Sequence, residues 1–211
     1  HHIEVNVKLL ALITCSSTVS INTHMTSLMG GGPMQVQWKH TSEQTNWFVR
    51  DNMKDPKKFH LNIYEDERGA FSEIFRATSH DVNFVQDNLS VSKSGVLRGL
   101  HHQTIKPQGK LVVVLDGNIQ DVIVSLKTKS VFSYDLKRGD CLWVPPNYLH
   151  GFLCLTDSMV MYKCTNYYDS GSEISVDAFD SHLDIEWKID RKNIIRSEKD
   201  SSALLYDEVI S

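Results

Sequence analysis

Short strand-like runs separated by turn signals recur along most of this chain, and this spacing is the feature that most constrains its fold. The runs are rich in apolar and β-branched residues, and Gly, Pro, Asn and Asp punctuate them. Evenly spaced short strands with little helical periodicity predict an all-β barrel or jelly roll. The predicted strands are 59–64, 71–76, 83–91, 96–103, 111–115, 118–126, 131–136, 141–144, 151–155 and 159–165.

The turn signals and the chain ends predict the remaining organisation. Asp116-Gly117 is a favoured two-residue hairpin turn, so 111–115 and 118–126 are expected to pair as a hairpin. A short helical part within 194–211 is expected to pack against the barrel. Residues 1–35, which include a Gly30–Pro33 stretch, read as a tag, leader or flexible extension. Residues 36–58 form a lead-in, and 59–208 form the domain.

Composition excludes several classes of protein. The 211 residues suit one globular domain, with 41% hydrophobic and 23% charged residues. A net charge of −4 argues against nucleic acid as the main partner. No run reaches the roughly 18 apolar residues of a membrane span. Four cysteines without Cys-x-x-Cys spacing predict buried free thiols and a cytoplasmic protein.

Two histidine-containing segments fit the signatures of cupin barrels. Gly139, Pro145, Asn147 and His150 match Gly-x5-Pro-x-Gly-x2-His with one substitution. The other signature begins Gly-x5-His-x-His and continues to a Glu. Gly95 and His101 fit its start, but Gln103 replaces the second histidine, and Pro107 and Gln108 stand where the carboxylate belongs. A metal site needs three or four convergent ligands. The sequence therefore predicts a cupin-type barrel, or double-stranded β-helix, with no metal and no cofactor.

A series of further motifs carries a family resemblance. They are Asp66-Glu-Arg-Gly69, Phe84-Val-Gln-Asp-Asn88, Val96-Leu-Arg-Gly-Leu-His101, Gln108-Gly-Lys110, Asp121-Val122, Trp143-Val-Pro145, His150-Gly-Phe152, Tyr162-Lys-Cys-Thr-Asn-Tyr-Tyr168, Asp184-Ile-Glu-Trp187 and Ser197-Glu-Lys-Asp200. In this order, over residues 59 to about 208, the chain resembles the dTDP-4-dehydrorhamnose 3,5-epimerase family. The resemblance implies an isomerase that epimerises C3 and/or C5 of a dTDP- or UDP-linked 4-keto-6-deoxyhexose.

The residues suit this chemistry in their own right. Removing a proton next to a ketone requires a base that works near neutral pH and a group that stabilises the enolate oxygen. His101 is the natural base. The resemblance assigns Asp200 as the carboxylate behind it, Tyr162 as the proton donor on the opposite face, and Lys110 as the cation beside the enolate.

The resemblance also implies a set of substrate-binding residues. Arg68 and Arg98 carry planar guanidinium groups that match phosphate geometry. The remaining members of the set are Glu73, Gln86, Asn88, His150, Tyr168, Glu173 and Lys199. Simpler explanations stay open for three of them: Arg68 pairing with Glu67 in a turn, Glu173 as a solvated loop carboxylate, and His150 as a core histidine.

One strand of the predicted site conflicts with simple alternation. Strict alternation places Arg98 and His101 on opposite faces of their strand. Gly99 between them predicts a bulge that resets the register. The same alternation turns His102 away from His101, which predicts a packing or surface role for His102.

The sequence predicts how the protein assembles, and it leaves alternative functions open. Segment 59–76 would expose a sheet edge, and the resemblance implies a homodimer in which such strands join the partner's sheet. Two departures from the family lie near the expected nucleotide pocket. One is a shortened hairpin around 130–142, and the other is Ser125, where the family commonly has Asp.

The alternative functions are those of a nucleotide-sugar 3,4-ketoisomerase, a metal-dependent cupin, and a catalytically silent sugar-nucleotide-binding cupin.

Overall fold

The computed structural model describes residues 54–77 and 82–210. The predicted extension 1–35 and most of the lead-in 36–58 lie outside these residues. The strands are β1 Lys57–His60, β2 Tyr64–Asp66, β3 Gly69–Phe71, β4 Gln86–Ser92, β5 Leu97–Gln103, β6 Lys110–Asp116, β7 Asn118–Ser125, β8 Val131–Lys137, β9 Asp140–Val144, β10 Tyr148–Cys154, β11 Ser158–Cys164 and β12 Glu173–Ser175.

Two five-stranded antiparallel sheets make up the barrel. The first sheet has the order β1-β9-β6-β11-β4, and the second has the order β12-β5-β10-β7-β8. From β4 to β12 the chain crosses between the sheets at every connection except the one from β7 to β8. A separate hairpin joins β2 and β3. This topology confirms the predicted all-β, cupin-type jelly roll.

The predicted hairpin across Asp116-Gly117 is wrong. β6 pairs with β9 and β11, whereas β7 pairs with β8 and β10. The turn instead carries the chain from the first sheet to the second. Gly117 has φ of 84°, and a Cβ atom there would lie 2.4 Å from the carbonyl oxygen of Asp157. The flanking runs are almost continuously apolar, so their pattern locates a turn without specifying which strands pair.

Within the two five-stranded sheets, β7 and β8 form a hairpin, in which Val124 lies opposite Val131. The predicted shortened hairpin around 130–142 is also a crossover, because β8 and β9 lie in different sheets. Gly139, with φ of 85°, lies at that corner.

The N-terminal strands are shorter than predicted. β1 ends at His60, and residues 72–76 form no strand. Ile74 and Phe75 are neighbours in sequence, yet both pack in the cluster around Trp143. Alternation in a strand would send them to opposite faces, so packing excludes the predicted strand 71–76. The short strand β12 was not predicted.

The core has three parts. Side chains from both sheets, including Val112, Ile123 and Phe152, fill the space between the sheets. Trp143 and its neighbours cover the outer face of the first sheet. On the outer face of the second sheet, the C-terminal part contributes Leu183 and Tyr206 to a further cluster. Each fully buried aliphatic side chain of this kind contributes about 1.5–3 kcal/mol.

The C-terminal part contains two helices of four residues each, α1 Glu198–Ser201 and α2 Tyr206–Val209. They confirm the expected short helical part. None of the helices that the structure describes is long and apolar enough to cross a membrane.

Candidate active site

A cavity of about 450 Å³ lies at one end of the barrel, between the two sheets and α1. All four predicted catalytic residues line this cavity. His101 lies on β5 in the second sheet, whereas Lys110 on β6 and Tyr162 on β11 lie in the first sheet. Asp200 lies on α1. The imidazole and the phenol therefore approach the cavity from opposing walls.

His101 and Asp200 form a hydrogen-bonded pair. Nε2 of His101 donates to Oδ1 of Asp200 at 2.6 Å, and Asp200 is only 4% exposed. Burial opposes the charged form of Asp200, but the hydrogen bond and the charge of His101 outweigh it, so the pKa of Asp200 lies below its usual value. Because Nε2 carries the hydrogen of this bond, a neutral His101 has its lone pair on Nδ1. The arrangement fixes the tautomer needed for a general base.

The strand that carries His101 has the expected irregularity. On β10, Phe152 pairs with Arg98 and His150 pairs with His101, so β5 contains one extra residue between the two pairs. Gly99 has φ of 121°, and a Cβ atom there would lie 2.6 Å from the Cα atom of Gly151. The shifted register places both Arg98 and His101 at the cavity. Only glycine fits this close approach of two backbones.

His102 has a different environment from His101. It is 8% exposed and is not among the cavity-lining residues. Burial lowers the pKa of His102. The side chain therefore belongs to the packing of the barrel, in keeping with the predicted change of face after His101.

Lys110 and Tyr162 supply a cation and a phenol on the wall opposite His101. No carboxylate among residues 54–77 and 82–210 lies within salt-bridge distance of Lys110, and burial lowers its pKa. Burial raises the pKa of Tyr162, which keeps the phenol protonated at neutral pH. A poorly hydrated cation stabilises a neighbouring anion strongly, and a protonated phenol can donate a proton.

Glu173 connects three cavity residues. Its Oε1 lies 3.9 Å from Nδ1 of His101, and its Oε2 accepts a hydrogen bond from the Tyr168 hydroxyl at 3.0 Å. Lys199 also pairs with Oε2. Burial opposes the charge of Glu173, but Lys199, His101 and Tyr168 outweigh it and hold its pKa below the usual value. Glu173 is thus tied into the cavity wall, which excludes the simpler explanation of a freely solvated loop carboxylate.

A second histidine–carboxylate pair lies beside the first. His150 is directly opposite His101 across β10 and β5 and also lines the cavity. Its Nε2 contacts Oδ2 of Asp121 at 2.9 Å, and Asp121 is fully buried. His150 is thus a buried histidine, 6% exposed, whose side chain has a hydrogen-bond partner and still borders the cavity.

Arg98 lies at the mouth of the cavity. Its Nε donates to the hydroxyl of Ser92 at 3.0 Å, and the residue is exposed. Within residues 54–77 and 82–210 this is the one hydrogen bond of the guanidinium group, which leaves the rest of the fork free to meet an anionic group. Of the nine predicted substrate-binding residues, those that line the cavity are Arg98, His150, Tyr168, Glu173 and Lys199.

Four predicted substrate-binding residues do not line the cavity of this chain. Arg68 is exposed and pairs with Asp66, not with Glu67. Glu73 pairs with Arg76. On β4, the amide of Gln86 donates to Asn88 at 2.9 Å, and its carbonyl oxygen accepts from the backbone of Tyr168 at 2.8 Å. A binding role for the four residues Arg68, Glu73, Gln86 and Asn88 stays a prediction.

The glutamines at the cupin motif positions bond to the backbone. Gln103 donates to the carbonyl oxygens of Lys106 and Tyr167, and Gln108 donates to that of Asn166. In the part of the chain that the structure describes, no three His, Cys, Asp or Glu side chains form a group that could hold a metal ion.

Sequence reasoning missed two residues at the site. The sequence motifs assign no role to Asp121, and only the sheet register reveals it as the partner of His150. Arg196 lines the cavity next to Ser197, at the start of the Ser-Glu-Lys-Asp motif. Its proximity to that motif was the one available signal.

The fold and the site define a cupin-type barrel equipped for proton transfer by a histidine–carboxylate pair. Residues 50–208 match the family described as dTDP-4-dehydrorhamnose 3,5-epimerase. The chain is 38% identical over 168 residues to the dTDP-4-dehydrorhamnose 3,5-epimerase of Methanothermobacter thermautotrophicus, an alignment that covers 72% of this chain and 90% of the relative. This chain belongs to the dTDP-4-dehydrorhamnose 3,5-epimerase family of isomerases.

Solved structures of related epimerases support the same family assignment. A dTDP-6-deoxy-D-glucose-3,5-epimerase from Legionella pneumophila, in complex with dTDP-4-keto-L-rhamnose, superposes with a TM-score of 0.69 at 38% identity, covering 73% of this chain and 89% of that one. A 3'-monoepimerase from Streptomyces bikiniensis, in complex with dTDP-quinovose, superposes with a TM-score of 0.66 at 29% identity. The superposition covers 72% of this chain and 84% of that one. The fold thus occurs in relatives described as acting at two centres and at one.

Proposed function

We propose that this chain epimerises C3 and C5 of a dTDP-linked 4-keto-6-deoxyhexose, the reaction of its family in dTDP-rhamnose biosynthesis. The observation that carries the proposal is the placement of His101 and Tyr162 on opposing sheets of one cavity, with His101 oriented by Asp200. Inversion of a carbon centre requires removal of a proton from one face and its return from the other.

The first step is proton abstraction by Nδ1 of His101. The hydrogen on the carbon next to the C4 ketone moves to Nδ1, and the electrons of the C–H bond pass to the carbonyl oxygen, giving an enolate and an imidazolium. Asp200 at 2.6 Å from Nε2 and Glu173 at 3.9 Å from Nδ1 stabilise the positive ring. Both carboxylates exist before the reaction, so no reorganisation is needed when charge develops.

The second step is protonation of the enolate from the opposite wall. Tyr162 donates its hydroxyl proton to the carbon, and the enolate electrons return to form the new C–H bond and the ketone. Lys110 on the neighbouring strand β6 supports the negative charge on the enolate oxygen and on the phenolate that remains. Arg98 at the cavity mouth is placed to bind the diphosphate.

A single-centre epimerase is the alternative that an observation favours, since a 3'-monoepimerase shares the fold at 29% identity. The same base and acid serve either reaction, so cavity shape decides how many centres are inverted. A 3,4-ketoisomerase would need the proton returned to a different atom. A silent binding cupin would not need the His101–Asp200 pair.

We further propose a homodimer whose subunits share their active sites. Arg68 and Glu73 lie outside the cavity of their own chain, in the segment around the β2–β3 hairpin. Among the described strands, β4 lies at the edge of its sheet, and its Leu89 and Val91 are 61% and 66% exposed. A second copy would cover this apolar edge and bring its Arg68 to the neighbouring site.

The state of the cysteines supports a cytoplasmic location. Cys141, Cys154 and Cys164 are free and buried, and burial raises the pKa of all three thiols. Unpaired thiols are typical of a reducing compartment.

The experiment that tests the proposed function is product analysis by NMR after incubation with dTDP-4-keto-6-deoxyglucose. A reductase that accepts only the L-configured ketone would trap the product. We expect the L-lyxo ketosugar, inverted at C3 and C5. A product with the ketone at C3 would identify a ketoisomerase, and unchanged substrate would contradict catalysis.

A further inference from the structure

Arg196 joins the segment that carries Asp200 to the segment that follows β12. Its Nη1 donates to Oδ1 of Asp177 at 2.6 Å and to the backbone carbonyl oxygen of Asp200 at 3.2 Å. The guanidinium carbon lies 4.3 Å from the centre of the Phe179 ring. The side chain is 11% exposed. These contacts fix the guanidinium group on three sides.

The Asp177 end of this link is tied to the strand of His101. Val176 and Leu100 exchange two backbone hydrogen bonds, of 2.9 and 3.2 Å, and Ser175 lies opposite His101. Asp177 therefore follows directly a residue that is bonded to β5. Through Asp177, the guanidinium group of Arg196 is connected to strand β5, whose backbone positions the imidazole of His101.

At the Asp200 end of the link, the carboxylate accepts hydrogen bonds from His101 at 2.6 Å and from the backbone N–H of Gly99 at 3.4 Å, and the backbone belongs to a short helix. α1 contains four residues, and isolated helices of this length are not stable in water. Within it, the backbone N–H of Asp200 donates to the hydroxyl of Ser197 at 3.1 Å. The bond from Arg196 to the Asp200 carbonyl oxygen adds a tertiary contact at the residue whose carboxylate must meet His101.

We propose that Arg196 is a positioning residue, which holds Asp200 at hydrogen-bonding distance from Nε2 of His101. The inference rests on the proposed function, because it concerns the same proton transfer. Placement matters because a displacement of about 1 Å at a catalytic group costs about 10²-fold in rate. Arg196 acts through Asp200 and does not itself contact the reacting atoms.

A direct role in binding the substrate diphosphate would give a different result. The charge of Arg196 is already paired with Asp177, and the side chain is largely buried, whereas Arg98 is exposed at the cavity mouth. Loss of a phosphate ligand would raise KM, whereas loss of a positioning contact lowers kcat.

The test uses Arg196→Met, which keeps the aliphatic stem on Phe179 and removes the hydrogen bonds. The chain offers a matched control in Arg191, whose guanidinium carbon lies 4.4 Å from the centre of the same ring. Within the described residues Arg191 has no hydrogen bond to Asp200. We expect kcat of Arg196→Met to fall about ten-fold with KM within about two-fold of wild type, and Arg191→Met to stay near wild type. Arg196→Lys, which keeps a donor, should recover part of the loss.

A double variant and hydrogen exchange separate positioning from general destabilisation. In an Asp200→Asn background, Arg196→Met should cause less further loss of kcat than it causes alone, because both changes act through one carboxylate. Amide exchange at Asp200, Ser201 and Ser202 should be faster in Arg196→Met than in wild type and unchanged in Arg191→Met.

The outcomes decide between the two proposals. A rise in KM without a fall in kcat, equal effects of Arg191→Met and Arg196→Met, or full additivity with Asp200→Asn would each overturn the positioning role. An inactive wild-type protein would contradict the proposed function instead. In that case unchanged amide exchange in Arg196→Met would overturn the positioning role, and faster exchange confined to Asp200, Ser201 and Ser202 would support it.

Discussion

Oδ1 of Asp200 accepts a hydrogen bond from Nε2 of His101 at 2.6 Å, and the other ring nitrogen lies 3.9 Å from Glu173. This relationship assigns different functions to the two nitrogens. Nε2 holds a proton against a buried carboxylate, and Nδ1 is left as the basic atom. The three residues come from β5, α1 and β12, which are far apart in sequence and meet at one end of the barrel.

Asp200→Asn should lower kcat by about 10²–10⁴-fold while leaving the fold intact. The amide is nearly isosteric with the carboxylate, but it neither stabilises the imidazolium nor fixes the same tautomer. The measurement is steady-state kinetics, with Asp190→Asn as a control at an exposed carboxylate paired with Lys192. Wild-type kcat in Asp200→Asn would show that the pair is only structural.

Tyr162→Phe should separate proton exchange from inversion. His101 can still remove and return a proton on one face after the phenol is lost. In deuterated water we expect label to enter the sugar at a rate near that of wild type, with net epimer formation reduced at least about 10²-fold. Equal loss of exchange and inversion would instead assign Tyr162 to binding or to enolate stabilisation, and another group would have to supply the second proton.

The sequence predicted which residues meet at one cavity, and the class of fold, better than it predicted which strands pair. The cupin and epimerase motifs placed His101, Asp200, Tyr162 and Lys110 in one site, and all four line one cavity. Gly99 indicated the register shift. Strict alternation would place Arg98 and His101 on opposite faces of the strand, and a glycine between them permits a bulge that brings both to one face. These predictions depended on residue chemistry at short range.

Strand pairing could not be predicted in the same way. Asp116-Gly117 marks a turn, but the runs beside it are apolar on both faces, so nothing local distinguishes a hairpin from a crossover between sheets. The contacts of Asp121 and Arg196 depend equally on elements distant in sequence. Long-range pairing decides which polar residues meet, and a single sequence does not contain that information in readable form.

The stability of the barrel should depend on pH through Asp140. Burial opposes its charge, but hydrogen bonds from the backbone of Lys137 and from His60 and Lys58 outweigh burial and hold the pKa of Asp140 below its usual value. A depressed folded-state pKa means that the stabilisation is fully present above the unfolded pKa and is lost as the pH falls through the folded pKa.

Asp140→Asn should therefore lower the free energy of unfolding by about 1–2 kcal/mol at pH 7, and the difference from wild type should shrink below about pH 4. Urea unfolding at both pH values measures it. Asp190→Asn at an exposed pair should change the free energy by less than about 0.5 kcal/mol. A difference independent of pH would show that the charge of Asp140 is not what stabilises the corner.

Shared active sites predict complementation between inactive subunits. Arg68→Ala and His101→Ala should each be inactive alone, because one removes a residue supplied to the neighbouring site and the other removes the base. Mixed dimers should regain up to one working site in two. Sedimentation should give about twice the 24.1 kDa chain mass. An active monomer, or mixtures without recovered activity, would contradict the shared site.

The central claim is that His101 removes protons from the carbons next to the C4 ketone. The most direct test is incubation of dTDP-4-keto-6-deoxyglucose in deuterated water with wild type, His101→Ala and the packing control His102→Gln, followed by NMR. We expect deuterium at C3 and C5 with wild type and His102→Gln, and a loss of at least about 10³-fold in exchange at both carbons with His101→Ala. Exchange at near wild-type rates in His101→Ala would contradict the claim.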